Sequence, residues 1–118
     1  MIEIYSDFRF ESAHFLPNVP PGHPCGRMHG HSYRLRLFLR GELDPKFGWV
    51  RDFSEIDAAF EPLRAQLDHH LLNEIDGLAN PTAEIIAEWL VQRLRPSLPE
   101  LSHLTLCETA DTGVTAYA

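Results

Sequence analysis

The chain has 118 residues, 44% of them hydrophobic and 23% charged, and its formal net charge at pH 7 is −7. This length predicts a single domain, 1–118, and the negative charge argues against wholesale binding to nucleic acid or to an anionic membrane. No apolar run approaches the roughly 20 residues that cross a bilayer, no signal peptide opens the chain, and two cysteines are too few for a disulfide framework, so we expect a cytoplasmic protein.

Residues 2 to 16 alternate between apolar and polar side chains, which predicts a long half-buried strand. His14 lies on its apolar face, close to the C-terminal end. Prolines and glycines then crowd residues 17 to 28, a density that excludes regular structure and predicts a loop containing Cys25. A loop of this length in a compact domain is often functional.

Alternation resumes over residues 29 to 40 and predicts a second strand, with His29 and His31 on its apolar face. If the two strands pair antiparallel, the end of the first lies beside the start of the second, and His14 joins His29 and His31. Three histidines with an open fourth position are typical of catalytic rather than structural zinc. We therefore expect zinc or a similar ion; the alternative is a hydrogen-bonded histidine cluster without metal.

The rest of the chain predicts two helices followed by two strands. The elements are a short extended piece at 49 to 53, a helix capped by Ser54 and kinked at Pro62, a helix from Asn80 and Pro81 to about Arg95, and strands over 101 to 109 and 114 to 117. This order indicates an α+β fold, an antiparallel sheet with both helices on one face. Arg34, Arg36 and Arg40 occupy the other face, which is either solvated or the interior of an assembly of subunits.

Other candidates for chemistry surround the histidines. Cys25 is either a small hydrophobic residue or a thiolate whose pKa a nearby cation lowers. Asp68 and His69 form either a carboxylate–imidazole pair or a charged helix end, and His70 is an alternative to His69. Glu108 has the apolar parity of its strand, so it should point inward and need a partner, unless the strand end is frayed.

Five motifs, taken together, carry a resemblance to a known family. They are FESAH at 10–14, CGRMHGHS at 25–32, LDHH at 67–70, NPTAE at 80–84 and ET at 108–109. In order and spacing they resemble the 6-carboxy-tetrahydropterin synthases of queuosine biosynthesis, close relatives of the 6-pyruvoyl-tetrahydropterin synthases. The resemblance covers essentially the whole chain.

The resemblance implies a tunnelling fold, an antiparallel four-stranded sheet with two helices packed on one face. Subunits of that family join their sheets into a barrel, usually as trimers that pair into hexamers, so a homo-oligomer is expected. The resemblance also implies a bound Zn²⁺ and makes His14, His29 and His31 its ligands. No nicotinamide or flavin cofactor is implied.

The resemblance assigns roles to the remaining candidates. Cys25, Asp68, His69 and Glu108 become catalytic residues, Glu108 also anchors the pterin ring, and Thr82 lies near that ring. The implied reaction converts 7,8-dihydroneopterin triphosphate to 6-carboxy-tetrahydropterin, acetaldehyde and triphosphate. The short spacing from Cys25 to the His-Gly-His run favours this reaction over the alternative, 6-pyruvoyl-tetrahydropterin synthesis. A zinc-binding module without catalysis is the third possibility.

Overall fold

A computed structural model describes all 118 residues of the chain, and a long hairpin forms its centre. Strand β1 spans Ile2–His14 and strand β2 spans His29–Gly41. They pair antiparallel over their whole length, so that His14 lies opposite His29 and Ser12 opposite His31. The predicted strands and their pairing are confirmed, because apolar alternation fixes which face each strand must bury.

The sheet has five strands, one more than the four that the resemblance implies. Strands β4 (Leu101–Cys107) and β5 (Gly113–Tyr117) continue it beyond β2 in antiparallel fashion. The additional strand, β3, is the two-residue pair His70–Leu71, which runs parallel to β1 at the far edge, giving the order β3-β1-β2-β4-β5. The extended piece predicted at 49 to 53 is wrong, since those residues form bends and the start of a helix.

Two helices cover one face of this sheet, as the pattern predicts. Helix α1 spans Phe53–Leu67 and continues through Pro62, and helix α2 spans Ala83–Leu94. Their predicted caps are wrong by two residues, because Asp52 rather than Ser54 caps α1 and Thr82 rather than Asn80 caps α2. In both places the capping oxygen accepts a hydrogen bond from a backbone N–H of the first turn.

The core lies between the inner face of the sheet and these helices. Its sheet side consists of alternate β1, β2 and β4 residues, among them Phe10, Tyr33, Leu35, Leu37, Leu104 and Leu106, and its helix side includes Ile56, Phe60, Ile86 and Leu90. Phe10 and Tyr33 stack across β1 and β2 with ring centroids 4.9 Å apart. No helix is long and apolar enough to cross a membrane. Toward one end of the hairpin, the same row of inward-facing side chains continues from the core to the histidines.

The opposite face of the sheet, which we call the open face, carries no helix. Its side chains form rows across the strands. An aromatic row joins Tyr5, Phe38, His103 and Tyr117, with Phe38 and His103 stacked at 4.1 Å. Arg36 forms two hydrogen bonds to Asp7 at 2.7 and 2.9 Å, and Arg40 bonds to Glu3.

Candidate active site

Three histidines converge where the hairpin opens into its loop. Because His14 and His29 are opposite each other in the register, and His31 follows two residues later on the same face, their rings meet edge to face. The Nε2 atoms of His14 and His29 are 2.9 Å apart. One ligand atom from each histidine lies within 4.8 Å of the others, which is the spacing of atoms that share one metal ion.

Backbone carbonyls fix which ring nitrogens of the first two histidines face inward. His14 Nδ1 donates to the Pro81 carbonyl at 2.8 Å, and His29 Nδ1 donates to the Arg27 carbonyl at 2.7 Å. A carbonyl oxygen can only accept, so each Nδ1 carries the proton and each neutral ring presents the lone pair of Nε2. Such an outer hydrogen bond is what orients a metal-ligating histidine.

This donor set needs a cation. Two Nε2 lone pairs facing each other at 2.9 Å repel, unless a proton or a metal ion lies between or beside them. The buried Nε2 of His31 has no hydrogen-bond partner at all, and a buried polar nitrogen without a partner calls for an explanation. Three imidazoles whose inward nitrogens converge in this way fit a zinc ion that keeps an open position.

Glu108 directly follows β4 and reaches the same place. Its Oε2 lies 3.0 Å from His31 Nε2 and 3.6 Å from His14 Nε2. The first contact is a close approach of a carboxylate to an imidazole and not a hydrogen bond, so the His31 nitrogen remains without a hydrogen-bond partner. The inward orientation of Glu108 predicted from strand parity is confirmed. No arginine or lysine pairs with this carboxylate, so a structural salt bridge does not explain why it points inward.

Burial is the main influence on the pKa of His14. The His14 side chain is 1% exposed, and this burial lowers its pKa, because the charged imidazolium loses its hydration. The neighbouring His29 and His31 act in the same direction, whereas the Pro81 carbonyl and Glu108 act against it. His14 therefore favours the neutral form that a metal ligand requires.

Asp68 and His69 do form a pair. Asp68 Oδ2 lies 3.0 Å from His69 Nδ1, while its Oδ1 accepts the backbone N–H of Glu11 at 2.8 Å. That N–H, together with the His69 contact, lowers the pKa of Asp68, so the carboxylate stays ionised at neutral pH. His69 has a positive φ of 59°, rare for a residue with a side chain, and its own N–H donates to the Glu11 carbonyl.

The pair is presented to solvent rather than buried. The His69 side chain is 79% exposed, and it borders an open cleft of about 490 Å³ that Gly30 and His31 also line. The exposed imidazole and one of the clustered histidines thus share a single depression at the edge of the sheet. His70, the alternative to His69, bonds through Nδ1 to the Asp68 carbonyl instead of to its carboxylate.

Cys25 lies in a short 3₁₀ turn, Pro24–Gly26, within the loop that joins β1 to β2. Its carbonyl accepts the Leu16 N–H at 2.8 Å, and its own N–H donates to His23 Nδ1 at 3.1 Å. The half-buried thiol is unpaired with any other cysteine. It borders the end of β1 but is not among the atoms that converge in the histidine cluster.

Thr82 is held by its capping role. Its Oγ1 accepts the Ile85 N–H at 3.2 Å, next to Pro81, whose carbonyl contacts His14. Thr82 therefore follows the residue that contacts His14. Because its oxygen accepts the Ile85 N–H, its hydroxyl proton is free to form a hydrogen bond to a ligand. Backbone contributors such as the Pro81 carbonyl were absent from the sequence prediction, because an amino-acid pattern carries no signal for the direction of a carbonyl.

Comparison with known proteins bears on this arrangement of residues. The family model described as 6-pyruvoyl tetrahydropterin synthase matches residues 3–118 of the chain. The chain belongs to that family. This assignment agrees with the motifs noted in the sequence, and it covers the hairpin, the Asp68 pair and Glu108 alike.

Two curated relatives share the same percentage identity with the chain, over different lengths, and have different names. The chain is 38% identical to a 6-carboxy-5,6,7,8-tetrahydropterin synthase of Synechocystis, over 98% of this chain and 92% of that protein. It is also 38% identical to a dihydroneopterin monophosphate aldolase of Pyrococcus furiosus, over 74% of this chain and 75% of that protein. A further 6-carboxy-5,6,7,8-tetrahydropterin synthase, from Bacillus subtilis, is 26% identical over 89% of the chain.

A solved structure agrees with the fold. The 6-pyruvoyl tetrahydropterin synthase of Caenorhabditis elegans superposes with a TM-score of 0.91, over 99% of this chain and 95% of that one, at 22% identity. The α+β architecture, with its helices on one face of the sheet, is therefore that of the family.

Proposed function

We propose that this protein is a 6-carboxy-5,6,7,8-tetrahydropterin synthase that converts 7,8-dihydroneopterin triphosphate and water to 6-carboxy-tetrahydropterin, acetaldehyde and triphosphate. The observation that carries the proposal is the convergence of three histidine nitrogens with the carboxylate of Glu108, which has no arginine or lysine partner. Similarity to the Synechocystis enzyme along almost the whole chain supports the choice of reaction.

His14, His29 and His31 would hold a zinc ion. The Pro81 and Arg27 carbonyls keep the first two rings in the ligating tautomer. When bound, zinc supplies Lewis acidity, polarising oxygen atoms of the substrate so that neighbouring protons leave more easily.

Proton transfer would fall to Cys25 and His69. The Cys25 thiolate takes a proton from the substrate side chain, and His69 delivers or relays one at its Nε2. Asp68 lies against His69 Nδ1, which fixes the tautomer with the proton on Nδ1 and stabilises the imidazolium once it forms. Because His69 is exposed, its proton exchanges readily with solvent.

Glu108 would anchor the pterin ring. A carboxylate accepts two hydrogen bonds from a ring N–H and an adjacent amino group, a charge-assisted pairing that fixes orientation as well as affinity. Glu108 is 27% exposed and has no competing arginine or lysine partner, so it is available to a ligand. Thr82, beside the same cluster, would contact the ring.

The working form would be a homo-oligomer in the cytoplasm, trimer-based and hexameric by analogy with the family. Both edges of the sheet support association: β5 is an edge strand, and β3 covers only two residues of β1. Unpaired N–H and C=O groups at such edges are available to another chain. Two unpaired cysteines suit a reducing compartment.

Product analysis tests the reaction. Zinc-loaded protein is incubated with 7,8-dihydroneopterin triphosphate, and the products are identified by mass spectrometry together with an assay for acetaldehyde. The Cys25→Ala variant is measured in parallel, and Met28→Ala serves as a control, since Met28 is an exposed residue of the same loop. We expect 6-carboxy-tetrahydropterin and acetaldehyde from the native chain and from the Met28 variant.

Other outcomes would contradict this proposal and indicate a different function. A pyruvoyl-pterin would make the chain a 6-pyruvoyl-tetrahydropterin synthase. Turnover of dihydroneopterin monophosphate alone would place it with the Pyrococcus relative. No conversion of either substrate by zinc-loaded protein would leave a zinc-binding module.

A further inference from the structure

A cavity lies on the open face of the sheet, away from the histidine cluster. It has a volume of about 630 Å³, and its charged lining residues are Asp7, Arg9, Arg34 and Arg36. The Asp7 carboxylate and the Arg36 guanidinium neutralise each other through two hydrogen bonds. Arg9 and Arg34 are left with two positive charges, in a chain whose net charge is −7.

These two arginines are direct cross-strand partners. Arg9 of β1 lies opposite Arg34 of β2 in the register, and both side chains project from the open face. Like charges in this position repel and destabilise a sheet. Neither residue forms a side-chain hydrogen bond, and no carboxylate oxygen lies within 4.0 Å of either guanidinium. The neighbouring acids are already engaged, Asp7 by Arg36 and Glu11 by the Ser32 hydroxyl.

The sheet beside this pair leaves room for a ligand. Cys107 of β4 lies opposite Arg34, and Gly113 of β5 lies opposite Cys107. A Cβ atom on Gly113 would come within 2.7 Å of the Cys107 Sγ, so this end of the row holds no larger residue without rearrangement. Thr105, another short side chain, lines the same cavity. Two long cationic side chains therefore stand beside the short Thr105 and Cys107 of β4, with Phe38 as the large open-face residue of the lining.

We propose that Arg9 and Arg34 bind a phosphate-type oxyanion on the open face, at a site separate from the histidine cluster. Two guanidinium groups present several N–H donors in planes that suit the oxygens of phosphate, and the anion cancels their repulsion. The small neighbours on β4 and β5 provide the space. The ligand is either a free inorganic anion or the phosphate tail of a larger molecule, including that of the proposed pterin substrate.

Thermal unfolding of the full chain in inorganic phosphate tests the site. The melting temperature is followed as phosphate replaces chloride at constant ionic strength, for native protein, Arg9→Gln, Arg34→Gln and the control Arg95→Gln, whose exposed arginine forms no ion pair. A ligand that binds only the folded state raises the melting temperature, and the rise grows with the logarithm of its concentration once that concentration exceeds the dissociation constant. We expect this rise in native protein and in Arg95→Gln, and its loss in the other two variants.

Thermal unfolding in chloride buffer alone is a second test, in which the substitution is not expected to lower the melting temperature. Without an oxyanion, Arg34→Gln removes a repulsion, so its melting temperature should equal or exceed that of native protein. A lower value, together with a smaller assembly in light scattering, would mean that a carboxylate of another copy occupies the site, and it would overturn the proposal. A phosphate response that is absent from native protein, or unchanged in Arg34→Gln, would also overturn it.

Steady-state kinetics distinguish the two possible sources of the oxyanion. If the ligand is the phosphate tail of the pterin substrate, Arg34→Gln raises KM about tenfold or more with little change in kcat. If it is a free anion, KM stays the same while the phosphate response is lost. Only the first of these outcomes depends on the proposed reaction, so the site can stand even if that reaction is wrong.

Discussion

The histidine cluster and the Asp68–His69 pair show two ways of fixing an imidazole. In the cluster His14 is buried and the other two rings are half-buried, and carbonyl acceptors hold the outer nitrogens of His14 and His29. In the pair the ring is exposed, and it is placed by its main chain, through a left-handed φ of 59° and a hydrogen bond to Glu11. The first arrangement suits a group that must not move, and the second suits one that exchanges protons with its surroundings.

Removing a cluster residue should have the largest effect. His31→Ala deletes one of three ligands, so we expect metal content to fall to background and turnover to vanish. Metal is measured by elemental analysis after dialysis against a buffer with a fixed, low zinc concentration. His103→Ala, which alters a histidine on the open face, should keep its metal. Full zinc occupancy in the His31 variant would contradict the ligand assignment.

Cys25→Ala should separate metal binding from chemistry. The thiol lies outside the converging nitrogens, so zinc content and melting temperature should match those of native protein. Loss of an acid–base group lowers turnover by about 100-fold or more. Single-turnover measurements on zinc-loaded protein check this, and undiminished turnover would rule out a catalytic thiol.

Asp68→Asn should weaken the exposed pair while leaving the cluster intact. Turnover should fall by about 10- to 100-fold, since the amide neither fixes the His69 tautomer nor stabilises its charge. Zinc content should not change, and the exposed Asp57→Asn on the same helix is the matched control. If zinc were lost with Asp68, the two regions would not be independent.

The same variant makes a prediction about pH. The pKa of Asp68 in the folded chain lies below its ordinary value of 3.8, so the unfolded chain binds its proton more readily. The stability that this carboxylate contributes is therefore present above about pH 4 and is lost as pH falls through the folded pKa. Urea unfolding should show native protein more stable than Asp68→Asn at pH 6, with a gap that closes toward pH 3.

Glu108→Gln should have the smallest effect, confined to the substrate. The amide keeps the shape but loses the charge, so we expect KM to rise about tenfold, the worth of one charge-assisted hydrogen bond, while kcat changes less. Glu88→Gln, on the exposed side of α2, is the control. Unchanged affinity for a pterin, measured by fluorescence quenching, would remove Glu108 as the ring anchor.

Strand alternation predicted the hairpin and the meeting of its histidines, because one residue of register slip would turn His14 away from the core. Because the apolar residues of both strands must lie on the same face of the sheet, the two strands can pair in only one way. The inward direction of Glu108 followed from the same parity. These predictions succeed where burial of a whole face decides the structure.

Other features depend on single main-chain groups and have no signature in the pattern. The strand β3 is two residues long, too short for any periodicity, and it arises from the way His69 turns the chain back along β1. The Asp68 carboxylate is held by the N–H of Glu11, 57 residues earlier. A helix cap at Thr82 rather than Asn80 likewise depends on where the chain enters the core.

The Pro81 carbonyl links two parts of the chain that are far apart in sequence. All three histidines lie within one hairpin, yet the acceptor for His14 Nδ1 belongs to the segment that enters α2, 67 residues away. Metal affinity is thereby coupled to the docking of that helix. A substitution in the buried face of α2, such as Leu90→Ala, should speed zinc release under conditions in which the protein is still folded. The rate of zinc release would then report on the packing of a helix that does not contact the ion.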